Sequence, residues 1–224
     1  MKYNNILCEL ICSLIIFFIY AVNVSQINAQ TKNENENHSQ KQLESLWNFQ
    51  VQSATKDFNL SQDKLKKLQE LYVITRKNQR EAIKELPEEN DKQKSRLAII
   101  EVNQKEKSNL QAQLKNVLTE EQIAQVIPLL GSFNPRYDSY TELIMSLELD
   151  EEKNSAAMKL IGEYIINYDK ARQQADSSGE RFSAKVSSEL KSKLDNGLKN
   201  ILTSEQYDRW LEATSKSKKE KTKD

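Results

Sequence analysis

Four side chains have the type and spacing for defined chemistry, and that chemistry is hydrogen bonding. Thr119 and Gln122, and again Thr203 and Gln206, place a hydroxyl and a carboxamide three residues apart at a predicted helix start. The hydroxyl can accept from the backbone N–H of the glutamine while the glutamine reaches back to the N–H of the threonine. Two donors that a helix start leaves orphaned are then satisfied. Leu118 and Leu202 precede these caps and can staple onto Ile123 and Tyr207, while Glu120, Glu121 and Glu205 complement the positive end of the helix dipole. Each cap contributes on the order of 1 kcal/mol and fixes the angle at which one helix leaves another.

Nothing else in the chain has the spacing of a catalytic or metal site. The only histidine, His38, lies in the polar stretch 31–40, and both cysteines, Cys8 and Cys12, lie in an apolar N-terminal segment. Met145 and Met158 complete the soft ligands beyond residue 29, too few for metal sensing. There is no glycine-rich phosphate loop and no nucleophile paired with a base, so no enzyme, cofactor or metal is expected.

The elements that carry the caps repeat with them. Asn109-Leu-Gln-Ala-Gln-Leu-Lys-Asn-Val-Leu-Thr-Glu-Glu-Gln122 returns as Lys193-Leu-Asp-Asn-Gly-Leu-Lys-Asn-Ile-Leu-Thr-Ser-Glu-Gln206. Apolar residues at three-to-four spacing predict helices throughout, and no strand-like alternation of useful length occurs, so the fold class is all-α. Leu43, Leu46, Trp47 and Val51 mark a leading helix over residues 43–58, after a polar linker at 30–42. A first helical-hairpin unit follows over 60–130. Leu65, Leu68, Leu71, Tyr72, Ala82, Ile83 and Leu86 stripe one arm, Pro87 to Asn90 make the turn, and Leu97, Ile100, Leu110, Leu114 and Val117 stripe the return. Thr75 and Gln79 interrupt that stripe on one arm, and Asn103, Gln104 and Lys107 on the other, predicting a thin, partly solvated seam.

Gly131 and Asn134-Pro135 predict a break, and residues 131–148 a connector. The second unit spans 149–213, with Ala157, Leu160, Ile161, Tyr164, Ile165, Tyr168 and Ala171 on one arm and Phe182, Val186, Leu190, Leu194, Leu198 and Ile201 on the other. Its last helix carries Trp210 and Leu211 and is expected to fray into a disordered basic tail over 214–224.

Composition and the N-terminus set the compartment and the partners. Residues 1–29 read as a signal peptide, with Lys2, an apolar stretch from Leu10 to Val22, and Ile27-Asn28-Ala29 before Gln30. A retained anchor is the competing reading, but the stretch is short of the roughly 20 residues that span a bilayer. Lipidation of Cys12 lacks the small residue usually found beside such a cysteine. The expected location is therefore periplasmic or otherwise extracytoplasmic, with no stable membrane insertion once the signal is removed. The 33 basic and 33 acidic residues cancel, so no global field draws nucleic acid. Lys216, Lys218, Lys219, Lys221 and Lys223 make the one basic run.

Paired Leu-Thr-x-x-Gln motifs in an exported, helical, charge-rich chain resemble the Spy/CpxP family of periplasmic stress proteins; Asn200 to Gln206 is the closest phrase. The family's hairpin also begins at such a motif, present here in degenerate form as Leu60-Ser61 and Leu149-Asp150, each with lysine (Lys64, Lys153) where the family has glutamine. The resemblance implies two tandem family-like units forming an elongated or cradle-like bundle. It also implies ATP-independent chaperone or stress-response activity on unfolded or misfolding client proteins. Arg76, Lys77, Arg80, Lys84, Arg172 and Arg181 could supply mobile cations around apolar contacts, although charged helix faces are normally just solvated. The alternative is a non-catalytic helical interaction or structural protein of the cell envelope, which amphipathic hairpins serve equally well.

Overall fold

Four glycines and three prolines leave this chain few places to turn, so its helices run long. The computed structural model describes residues 39–220, without the side chains of 216–220. The segment expected to be a signal peptide, His38 and most of the expected linker lie outside that range, as do residues 221–224. The chain divides into two compact units, Met1–Ser45 and Leu46–Asp224. Of the first, residues 39–45 are helical, with Gln40 Nε2 donating to Glu44 Oε1 at 3.0 Å.

The described residues form helices, turns and loops, with no strand among them. Helix α1 covers 39–54, and a 3-10 turn, Lys56–Phe58, leads to Asn59 in the left-handed region. Then come α2 (Gln62–Lys84), α3 (Lys92–Leu114), α4 (Glu120–Leu130), α5 (Pro135–Ser146), α6 (Glu151–Ser178), α7 (Ala184–Lys199) and α8 (Ser204–Glu220). Helix α2 packs on α3 and α6 on α7, while α5 and α4 lie against α6. The largest buried side chains include Trp47, Tyr72, Leu68, Leu110 and Leu114 early in the chain and Tyr137, Ile161, Ile165, Leu198 and Trp210 later.

Two boundaries differ from expectation. The leading helix starts earlier and stops at residue 54, because the chain must turn through Asn59, a residue type that tolerates φ of 51°. The connector is not one: α5 fills most of it, with Tyr137, Thr141 and Ile144 buried on one face. Asn134-Pro135 ends one segment and also starts the next, since the Asn134 carboxamide oxygen accepts from Arg136 N at 2.9 Å and Pro135 occupies the first helical turn. From α2 to α4 the helices run 23, 23 and 11 residues, and from α5 to α8 they run 12, 28, 16 and 17. Both passages from short to long helix use a left-handed residue before leucine, Asn59 before Leu60 and Glu148 before Leu149. At the other end, α8 runs on to Glu220 through the start of the expected tail.

Gly131, the last residue before the break, has an ordinary φ of −84°. Its reason is space: a Cβ there would lie 2.8 Å from Ile127 O and 2.9 Å from Lys107 Cγ.

Candidate functional site

The helix starts hold the geometry on which any surface depends. Gln122 N donates to Thr119 Oγ1 at 3.3 Å and Thr119 N to Gln122 Oε1 at 3.0 Å, closing the reciprocal box. Thr203 and Gln206 repeat both distances. Leu118, Ile123 and Leu202 are buried beside these starts. At the degenerate starts only half the device forms. Ser61 Oγ accepts from Lys64 N at 3.4 Å and Asp150 Oδ1 from Lys153 N at 2.8 Å, and a lysine side chain has no acceptor to return the bond.

The second box does more than cap. Gln206 Nε2 donates to Leu147 O at 3.1 Å and Arg209 Nη2 to Ser146 O at 3.0 Å, so the start of α8 satisfies carbonyls at the end of α5. The Gln122 side chain, by contrast, has Thr119 N as its one hydrogen-bond partner among the described residues. No local spacing could have revealed this, because the acceptor lies 59 residues away.

Arg76, expected as a mobile surface cation, is instead only 4% exposed. It pairs with Asp138 on α5, and its guanidinium lies over Trp47 (5.2 Å), Phe133 (5.6 Å) and Tyr72 (6.0 Å). The planar, weakly hydrated guanidinium suits such a place, where a lysine would not. Gln50 completes the cluster, with Nε2 donating to Asp138 Oδ1 (3.0 Å) and Thr141 Oγ1 (3.2 Å) and Oε1 accepting from Tyr72 OH (3.3 Å). Burial pushes the Tyr72 hydroxyl up to about 12 and that of Tyr137 well above its usual range. The only trace of this cluster in the sequence is the interruption of the apolar stripe at Thr75 and Gln79.

Those two residues correct the seam as well. Thr75 is 2% and Gln79 6% exposed, so water does not enter there. Thr75 Oγ1 satisfies itself on Leu71 O at 2.9 Å, and Gln79 Nε2 crosses to Asn103 Oδ1 at 2.8 Å. Gln104 stays exposed, whereas Asn103 and Lys107 are half-buried.

The later helices are joined by rings. Tyr140 lies 5.0 Å from Trp210 and 5.9 Å from Tyr164, Tyr164 lies 5.9 Å from Tyr168, and Tyr168 meets Phe182 edge-on at 4.8 Å. Arg136 caps the Tyr168 ring at 4.2 Å, and Trp210 Nε1 donates to Asp195 Oδ1 at 2.8 Å. These tilted and edge-on contacts avoid the face-to-face stacking that ring quadrupoles disfavour.

Among the described residues, Ile74 of α2, Met145 of α5 and Val186 of α7, the last expected to face inward, are singly exposed large apolar side chains; the one group of them is on α3. The stripe expected to face inward does so at Leu110, Leu114 and Val117, but Leu97 is 52% exposed, and Ile99 and Ile100 also lie at the surface. Ser95, Ala98, Val102 and Asn103 are the better-covered residues of that stretch. Arg96 reaches Asp176 of α6 at 3.2 Å beside this patch. Arg80, Lys84, Arg172 and Arg181 are exposed and Lys77 half-buried.

An open cleft of about 460 Å³ lies between the starts of α2 and α6, lined by Phe49, Gln52, Asn59, Leu60, Leu65 and Asn154 among others, with Lys56 and Glu151 paired at 3.6 Å across its lining. Among the described residues no three histidine, cysteine or carboxylate side chains gather as a metal site, and no helix is long and apolar enough to cross a membrane. Met158 is buried in the core and Met145 is exposed. No known protein family, curated protein or solved structure matches this chain.

Proposed function

We propose that the protein is an extracytoplasmic, ATP-independent chaperone or stress protein that holds unfolded clients on a helical surface. Its two cap-bearing halves would act as tandem units resembling the Spy/CpxP family and together form the cradle. The observation that carries this reading is the exposed trio Leu97, Ile99 and Ile100 on a long helix of an otherwise charge-rich chain. Leu97 and Ile100, three residues apart, share one side of the helix, and neighbouring exposed apolar groups can mark a contact surface.

The energetics suit transient holding. Burying three half-exposed aliphatic side chains yields on the order of 2–4 kcal/mol, which does not offset the roughly 4–15 kcal/mol that association costs in lost freedom. A client must therefore add contacts of its own and leaves as soon as folding removes them. Nucleotide plays no part in such a cycle.

The buried Arg76–Asp138 pair and the aromatic row favour a second reading, a stiff structural protein of the envelope, since both lock helices in place. Light scattering of a chemically denatured client, without nucleotide, separates the two. The chaperone reading expects suppressed aggregation near equimolar protein and no effect of a strong chelator. A failure to protect several unrelated clients leaves the structural reading.

A further inference from the structure

Three cations from three parts of the chain gather around one carboxylate. Asp169 of α6 is half-buried, and its Oδ1 accepts from Asn134 Nδ2 at 2.9 Å, which ties α6 to the turn before α5. Arg136, two residues beyond Asn134, lies 4.2 Å over the ring of Tyr168, the neighbour of Asp169. Arg172 follows Asp169 by three residues, so the two share one side of α6. Lys107 arrives from α3, its Cγ only 2.9 Å from where a Cβ on Gly131 would stand, so its stem lies against the end of α4. Burial pushes the Asp169 carboxyl up despite the bond from Asn134 and the charges of Arg172, Arg136 and Lys107 beside it. Arg136 and Arg172 are exposed and Lys107 half-buried, so an ion can enter from solvent.

The junction has positive charge to spare. Among the described residues none of these three cations pairs with a carboxylate as Arg76 and Arg96 do. The carboxylates next to them along their helices are engaged elsewhere, Glu106 by Asn109 at 3.2 Å, Asp138 by Arg76 and Asp176 by Arg96. Three positive charges less the one negative charge of Asp169 leave two in excess. The second carboxylate oxygen of Asp169 has no hydrogen-bond partner among the described residues.

We propose that this junction of α3, α5 and α6 is a binding site for inorganic phosphate, held by Lys107, Arg136 and Arg172 and selected by Asp169. Such a site is independent of the chaperone activity proposed above. The excess charge suits a dianion, and guanidinium groups grip tetrahedral oxyanions through paired N–H bonds. The carboxylate chooses among dianions. When ionised it only accepts hydrogen bonds, so an oxyanion beside it must bring a proton. Hydrogen phosphate keeps one O–H near neutral pH and can donate it to Asp169. Sulfate has none, and a phosphomonoester, with a second pKa of about 6, has mostly lost its own. Either would set acceptor against acceptor at a half-buried group.

The test is titration calorimetry of the full chain with inorganic phosphate, sulfate and glycerol phosphate at equal ionic strength and a pH of about 8, where the monoester is fully ionised. One phosphate per chain is expected to bind, with sulfate and glycerol phosphate about fivefold or more weaker. R172Q, at an exposed position, should weaken phosphate binding about fivefold or more with helix content unchanged. D169N should bring sulfate within about twofold of phosphate, because a carboxamide can donate to a bare oxyanion. A merely structural role for Asp169 would not produce that gain. Should D169N fold poorly, amide shifts of the wild type carry the test: phosphate should move Lys107, Arg136 and Asp169, and sulfate at the same concentration should not. Equal affinity for the three anions, unchanged phosphate binding by R172Q, a preference for phosphate retained in folded D169N, or no binding at about 10 mM phosphate would each overturn the inference and leave the chaperone reading intact.

Discussion

The pair α2–α3 and the pair α6–α7 share a helical plan and a cap, yet they distribute their side chains in opposite ways. Between α2 and α3 the buried residues include Thr75, Arg76, Gln79 and Glu106, while Leu97 and Ile100 point outward. Between α6 and α7 the inside is Ala157, Ile161, Tyr164, Ile165, Tyr168, Leu194 and Leu198, closed tightly enough that a Cβ on Gly197 would sit 2.7 Å from Leu160 Cδ1. A helix pair such as this, with Val186 (36% exposed) its one large apolar side chain at the surface, is mainly a support. One that hydrogen-bonds its interior and turns leucine and isoleucine outward leaves a surface for something else.

The comparison breaks first at its most charged point. Asp138→Ala should destabilise the protein by about 3 kcal/mol, because it strands the Arg76 guanidinium among aromatic rings with its counter-charge gone. A denaturant melt checks this. A loss below about 1 kcal/mol would mean the pair is as solvated as a surface one.

The second pair is probed by overfilling it. Gly197→Ala should cost about 1–3 kcal/mol, since its methyl collides with the end of Leu160 and the helices must give. Thermal denaturation gives the sign and size. An unchanged melting temperature would show that Leu160 simply swings aside and that the close approach of α6 and α7 is not required.

The caps sharpen the contrast at smaller scale. Gln122→Ala removes half a box and should cost about 0.5–1 kcal/mol, whereas Gln206→Ala also releases Leu147 O at the end of α5 and should cost about 1 kcal/mol more. Equal losses in parallel urea melts would show that the bond to α5 contributes nothing.

Near neutral pH the tyrosines are silent, and their effect comes last. Tyr72 titrates at about 12 in the fold against 10.0 when free, so the folded chain holds its proton longer than the unfolded one. The stability this gives is fully present below pH 10 and is lost as pH rises through 12. Burial likewise raises Tyr137, Tyr140 and Tyr164. Alkaline melts should therefore weaken from pH 10 upward, with phenolate absorbance appearing together with unfolding rather than before it. Early, complete ionisation of a still-folded chain would contradict the burial of these rings.

Much of this was legible in the residues. Three-to-four spacing located the helix pairs, Thr119 and Thr203 located their caps, and the α6 stripe is the core it promised to be. The failures have one physical root. Periodicity says that a helix has faces but not which face meets a neighbour, and α3 spreads its apolar residues around its circumference, so Leu97 and Ile100 could be read inward. Helix α5 is not legible in the residues, because its buried face includes Thr141 and its exposed residues Arg136, Ser139 and Glu142 resemble a loop. The burial of Arg76 depends on Asp138, 62 residues away, a partner no local pattern names.

The central claim is that α3 is the working surface and α6–α7 the support. Amide chemical shifts of the full chain, recorded while an unfolded client is added, test it directly. The account predicts shifts concentrated at Leu97 to Gln104, with the amides of Ile161 to Tyr168 and Leu194 to Leu198 unmoved. Shifts centred on α6 and α7, or none at saturating client, would contradict it.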